Sequence, residues 1–305
     1  MRLLHTSTYQ LHNHRGTPPD YAILSHRWCS DGEITLSELD SSDLLDDFVT
    51  TPQLEKIREA CREAARQGIE WIWIDSCCID KTNSEELARS IRSMFQWYRS
   101  AEVCYTYLQD VDMEKFDGNI LCNERGKPSE WFSRGWTLQE LLAPRKMLFF
   151  DMNWHIIGDR YDLALPVEAI TRISSNYLRG EADFRTASIA TRMSWLADRK
   201  TQEPEDMAYG MLGILNVSLV PMYGEGHGAW MRLQRELLDT RPDESLFAWT
   251  ALPGTLPHHG NSSTWAADEW GLLAPHPTCF RDSHDITVGQ KFRHRPPGSV
   301  LCTTS

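Results

Sequence analysis

Four short apolar runs constrain this chain more than any other feature. They are Tyr21-Ala22-Ile23-Leu24-Ser25, Ile69 to Asp75 with Trp71-Ile72-Trp73-Ile74 at its centre, Val103 to Leu108, and Lys146 to Asp151. Each is too short for a stable helix and shows no polar alternation, the pattern of strands buried on both faces. Helical periodicity fills the gaps between them. Thr51-Pro52 gives an N-cap with proline at the first helical position, followed by Leu54, Ile57, Cys61, Ala64 and Ala65 up to Gly68. Asn83 with Glu86 resembles a capping box, ahead of a stripe of Leu87, Ile91, Met94, Phe95 and Tyr98. Strand and helix alternating in this way predict an α/β fold, a parallel sheet flanked by helices on both faces.

In such sheets ligands sit beyond the carboxyl ends of the strands. Ser25-His26-Arg27-Trp28 follows the first strand and Asp75-Ser76-Cys77-Cys78-Ile79-Asp80 the second, so both polar clusters are expected on one edge. The stretch Ser133 to Leu142 predicts an amphipathic helix in which Trp136 and Glu140, four residues apart, share a face while Leu138, Leu141 and Leu142 turn to a core. A carboxylate held against an indole is partly desolvated and fixed in direction. That suits catalysis, and it equally suits a helix-surface contact or a pairing with Arg134 or Arg145.

The pattern changes after Asp151. Tyr161 to Ile173, Ile189 to Asp198, Pro204 to Leu215 and Ala229 to Leu238 predict helices, and Leu246-Phe247-Ala248-Trp249 a strand. This gives an α/β core over 1–160, an appended, mainly helical lobe over 161–245 and an extension over 246–305 that packs back on the domain or begins another. Gly224-Glu225-Gly226-His227-Gly228 precedes a helix but follows no strand, so a tight interhelical turn accounts for it better than an anion cradle. The acidic residues between 38 and 47, and the Pro/Gly/His/Ser-rich stretch from Pro253 to Ser263, predict loops.

Charge excludes one class of partner. Lys plus Arg number 31 against 43 Asp plus Glu, a formal charge of -12, which opposes a phosphate-backbone footprint. No apolar run approaches the roughly 18 residues of a membrane span, and Met1 to Arg15 lacks the apolar centre of a secretory signal. A soluble protein of the cytoplasm is expected. The eight cysteines show no CxxC spacing, which argues against a zinc site or a disulfide framework, and His5, His12 and His14 suit polar filler better than a metal cluster. No cofactor or metal is expected. A nucleophilic triad of Ser25 or Cys77 with His26 and Asp75 lacks the surrounding turn that such chemistry needs.

Three blocks in order, Tyr21-Ala22-Ile23-Leu24-Ser25-His26-Arg27-Trp28, Trp73-Ile74-Asp75-Ser76-Cys77-Cys78-Ile79-Asp80-Lys81 and Arg134-Gly135-Trp136-Thr137-Leu138-Gln139-Glu140, resemble the signature blocks of the fungal heterokaryon-incompatibility (HET) domain. The likeness continues through Glu205 to Ile214, Met222 to Gly226 and Gly271 to Pro275. Departures are His26-Arg27, where the family more often has tyrosine or histidine then a small residue, and Lys81 in place of glutamine. The resemblance implies self/non-self recognition ending in programmed cell death.

HET domains are similar in turn to TIR domains, flavodoxin-like modules some of which hydrolyse NAD with a glutamate in a Trp-x-x-x-Glu motif. Trp136-Thr137-Leu138-Gln139-Glu140 has that spacing. The resemblance thus implies a TIR/flavodoxin-like core, NAD as substrate and Glu140 as the catalytic carboxylate. Ser25, His26 and Arg27 would meet the ribose or pyrophosphate, Asp75 would form a second polar wall, and Trp28, Ser76 and Arg134 complete the set. Trp136 would brace the carboxylate or stack on a substrate ring, or serve as ordinary core. The competing class is non-enzymatic: a module that triggers death by homo-oligomeric assembly downstream of a sensor protein.

Overall fold

The computed structural model describes residues 1–29, 31–41, 51–115, 120–241, 243–250 and 271–287. Asp43, Asp46 and Asp47, the stretch from Pro253 to Ser263 and the segment from Pro296 to Ser305 lie outside the described residues.

Seven strands, β1 (Arg2–His5), β2 (Leu11–Asn13), β3 (Ala22–His26), β4 (Trp71–Trp73), β5 (Val103–Tyr107), β6 (Met147–Phe150) and β7 (Ile156–Asp159), form one sheet in the order β2-β1-β4-β3-β5-β6-β7. The four strands expected from the sequence are its parallel centre, β4-β3-β5-β6. All five residues of β3 are buried, as its unbroken apolar run requires. The sheet is mixed rather than wholly parallel, because β1 is antiparallel to β2 and β4, and β7 is antiparallel to β6. The links from β1 to β2 and from β6 to β7 are only a few residues long, which permits antiparallel pairing and no crossover.

The chain leaves β3 toward β4 on one side and returns past β3 to β5 on the other. Right-handed crossovers then put the two connecting helices on opposite faces, and the reversal beside β3 marks where a ligand crevice opens. Helix α1 (Leu36–Ser41) and α2 (Pro52–Arg66) form the first connection, α3 (Asp75–Cys78) and α4 (Ser84–Ser100) the second. Thr51 caps α2 by accepting from Leu54 N, and Asn83 caps α4 by accepting from the backbone of Glu85 and Glu86. Glu86 does not close a capping box; its carboxylate accepts from Asp80 N and pairs with Arg2.

Helix α5 (Thr137–Leu142) leads into β6, and the helical half follows as α6 (Ala164–Thr171), α7 (Ser175–Leu178), α8 (Ile189–Ser194), α9 (Asp206–Tyr209), α10 (Leu212–Leu215) and α11 (Gly228–Thr240). The single helix expected over 204–215 is broken at Gly210 into α9 and α10. The strand expected from Leu246 is instead a 3-10 turn, Glu244–Phe247. Asp243 caps it by accepting from Ser245 N, and Ser245 Oγ accepts from Ala190 N. Described parts of the extension seat on the helices: the Ala274 carbonyl accepts from Trp230 and Gln234, and Thr191 reaches the carbonyls of Ser283 and Ile286. One hydrophobic cluster runs from Ile23 and Trp73 in the sheet to Ile214, Trp230 and Phe280.

Candidate functional site

A cavity of about 520 Å³ opens beyond the carboxyl ends of β3 and β4. His26 and Trp28 reach it from β3, Asp75, Ile79 and Lys81 from the turn after β4, and Leu87, Ile91 and Met94 line it from α4. Arg134, Trp136, Thr137 and Glu140 close the third side, and Gln202, Glu203, Asp206 and Tyr223 from the helical half close the fourth. The volume suits a ligand of drug or nucleotide size.

The helix expected from Ser133 is shorter than its sequence pattern. A 3-10 turn, Glu130–Ser133, precedes an extended Arg134, because Gly135 N donates to the Lys200 carbonyl and Lys200 N to that of Ser133. This pairing unwinds the first turn and leaves Trp136 as the residue before α5. Trp136 and Glu140 still face one cavity.

Glu140 is 8% exposed. Its Oε2 accepts from Ser25 Oγ at 2.5 Å, and Ser25 Oγ accepts from Trp131 Nε1 at 2.9 Å. The indole that fixes the carboxylate is therefore Trp131, acting through Ser25. Trp136 instead faces the Asp206 carboxyl, which also accepts from Tyr223 at 2.8 Å. Burial, with the nearby Asp75 charge, pushes the Glu140 carboxyl up to about 8 against the opposing pull of Ser25, Tyr98 and Arg134. A carboxyl so raised favours the protonated form at neutral pH.

Asp75 accepts from Trp28 Nε1 at 2.8 Å, and the Lys81 ammonium sits 3.3 Å above the Trp28 ring and 3.9 Å from Asp75. Burial lowers the Lys81 pKa. His26 Nε2 lies 3.7 Å from Asp75 and 3.6 Å from Glu33, both too long for a hydrogen bond. Behind it, Lys56 pairs with Glu33 at 2.6 Å. Three expected ligand residues stand outside the cavity lining, Ser25 among them with its hydroxyl given to Glu140. Arg27 turns to Glu130 at 2.8 Å, and Ser76 is buried away from the cavity.

Ser25 is committed to the carboxylate and Cys77 is buried, its thiol raised by Cys78 and burial, so neither offers a nucleophile. The amides of Gly224 and Gly226 both donate to Glu205, which makes that turn self-satisfied rather than an anion site. Among the described residues no group of His, Cys, Asp or Glu could hold a metal, and no helix is long and apolar enough to cross a membrane.

Fold and site together define an α/β protein with a doubly wound parallel centre and a cavity built around one buried carboxyl group. Residues 21–125 match the sequence model of the family described as Heterokaryon incompatibility protein (HET). The chain is 43% identical over 232 residues to vegetative incompatibility protein HET-E-1 of Podospora anserina, a match covering 72% of this chain and 16% of that protein. The chain belongs to the HET family. No solved structure matches it.

Proposed function

We propose that this domain acts in heterokaryon incompatibility as a nicotinamide-releasing NAD glycohydrolase, with Glu140 as its catalytic carboxylate. The observation that carries this reading is a carboxyl group held by Ser25 and Trp131 on the wall of a nucleotide-sized cavity at the carboxyl edge of a parallel sheet. The likeness to a vegetative incompatibility protein supports the cellular role. The Trp136-to-Glu140 spacing, similar to that of NAD-hydrolysing TIR domains, supports the chemistry.

The bond broken joins ribose C1′ to the pyridinium nitrogen. Its electron pair moves to the ring, which leaves as neutral nicotinamide without acid catalysis, and C1′ passes through an oxocarbenium-like state. Ionised Glu140 beside the ribose offsets that positive charge. Water then attacks C1′ and loses a proton to the carboxylate or to solvent. Entry of a cationic ring favours ionisation of this buried carboxyl, whose proton passes to solvent, because an opposite charge nearby favours the charged form. Trp28 and Trp136 offer flat faces to stack on rings, and Lys81 and Arg134 offer cations to the pyrophosphate.

The test is incubation of the purified domain with NAD, alone and fused to a dimerising module in case assembly builds the competent site, with nicotinamide followed by chromatography. Release by the native domain and loss of at least 100-fold in Glu140→Gln are expected on mutational precedent for electrostatic catalysis. Undiminished turnover in Glu140→Gln, or none by the native domain in either form, would sink the assignment.

A further inference from the structure

Arg199 belongs to the helical half of the chain, yet its side chain is engaged by the helix that carries Glu140. It is 5% exposed; Nη1 donates to the Arg134 carbonyl at 2.9 Å and to Thr137 Oγ1 at 3.0 Å, and Nε to the Trp195 carbonyl at 3.1 Å. Its other terminal nitrogen, Nη2, is buried and without a hydrogen-bond partner. Thr137 and Glu140 are three residues apart on α5, so the residue that Arg199 grips is a helix-surface neighbour of the one that carries the carboxylate. The docking is close. Backbone bonds at 2.8 and 2.7 Å tie Gly135 and Ser133 to Lys200, and a Cβ at Gly135 would overlap the Thr201 side chain.

A guanidinium does not release its proton inside a protein, so this interior carries a permanent positive charge. All its hydrogen-bond acceptors are neutral. A buried charge among neutral dipoles is costly unless an anion stands near: burial pulls the Arg199 pKa down, and the charge of Glu140 opposes that pull. The groups that face Glu140 are Asp75 from α3, Tyr98 from α4, Cys104 from β5 and Arg134 ahead of α5; His26, Lys81, Glu203, Asp206 and Tyr223 share its cavity. Among the arginines and lysines here, Arg199 is buried, whereas Arg134 and Lys81 are partly exposed.

We infer that Arg199 is a positioning residue, the internal counter-charge through which docking of the helical half makes the anionic form of Glu140 attainable. This rests on the reading of Glu140 as the working carboxylate. Glu140 needs its charge in the transition state, and burial opposes that charge. Arg199 sits behind the site, lining no part of the cavity, and acts through Glu140 without touching a ligand.

A double-mutant cycle on folding stability tests it without any nucleotide. The primary variant is Arg199→Gln, which keeps a donor and drops the charge, made in the native chain and in Glu140→Gln and followed by urea unfolding at pH 6 and 9. At pH 9, Arg199→Gln is expected to lower the folding equilibrium constant at least tenfold more beside Glu140 than beside Gln, and the excess shrinks at pH 6. Arg199→Lys, which keeps the charge and loses the fork, should show little excess. A protein that folds only when both substitutions are present is the same result in its extreme form. Equal losses in both backgrounds at both pH values, or failure to fold in both, would mark a mere strut and overturn the inference. Absence of NAD turnover would leave a positive cycle standing, and a null cycle would leave the catalytic reading of Glu140 untouched.

Discussion

The hydroxyl of Ser25 stands between Trp131 and Glu140, accepting from the indole at 2.9 Å and donating to the carboxyl at 2.5 Å. An indole nitrogen can only donate, so the single Ser25 proton is directed to Glu140. Ser25→Ala leaves the indole N–H and the carboxyl each short of a partner inside the protein, at an expected cost of about 1–3 kcal/mol in urea unfolding. Trp131→Phe, added to Ser25→Ala, removes the orphaned donor and should recover part of that loss. A fully additive double mutant would mean that the two side chains are not coupled.

Glu140 gives a pH signature of defined sign. Its carboxyl titrates at about 8 when folded and near 4.5 when exposed. Between those values the folded state holds a proton that the unfolded state has released, so stability falls as pH rises through the window. Glutamine has no such dependence. Glu140→Gln should therefore match the native protein near pH 4.5 and gain on it steadily toward pH 8, by about 4 kcal/mol. Thermal unfolding across that range measures the difference. Parallel profiles for the two proteins would contradict a buried, neutral carboxyl.

The parallel centre of the sheet was legible because a strand buried on both faces must be apolar throughout, as Ala22 to Leu24 and Trp71 to Ile74 are. The antiparallel strands were not, because Arg2–His5 and Ile156–Asp159 each have an exposed or half-exposed side and carry polar residues there. At the site, the strand-end rule leads to His26, Trp28 and Asp75, which line the cavity, but it could not separate them from Ser25, which alternates to the other side of β3, or from Ser76, which is buried in the short helix α3. Arg27 falls away for the same reason of alternation.

The fourth wall was harder to read. Asp206 and Tyr223 lie in recognisable motifs, yet nothing local shows that a chain segment sixty residues beyond α5 returns to face it. Arg199 had no sequence signal, since a buried arginine and a surface arginine look alike until the tertiary fold is known. Trp131 was one of twelve tryptophans, and only its bond to Ser25 sets it apart.

Gly213 holds the helical half against the core. A Cβ there would overlap the Cβ and ring of Phe95 on α4, so the glycine permits contact between α10 and α4. Gly213→Ala should destabilise by about 2–3 kcal/mol, well beyond the usual effect of a helical substitution, because neither helix can withdraw without opening the core. Trimming the ring in Phe95→Leu should relieve part of the overlap. The check is whether Gly213→Ala costs less in the Phe95→Leu protein than in the native one.

Behind His26 a second buried charge has the opposite linkage. Glu33, with a side chain 2% exposed, accepts from Lys56 at 2.6 and 2.8 Å and from Cys29 N at 2.8 Å. Burial by itself would raise this carboxyl, but His26 and Lys56 outweigh it and hold it down at about 2. The stability it contributes is therefore fully present above its exposed value of 4.5 and is lost as pH falls toward 2. Lys56→Met strands the buried carboxylate and should cost about 3–5 kcal/mol at neutral pH, the usual penalty for breaking a buried pair. The same substitution should flatten the acid limb of the stability profile, because the group no longer starts from so low a value. Lys56→Met with Glu33→Gln removes both charges and should regain most of the loss. If the double variant is no more stable than Lys56→Met, the pair is not what holds this corner of the cavity, and His26 owes its place between Glu33 and Asp75 to packing.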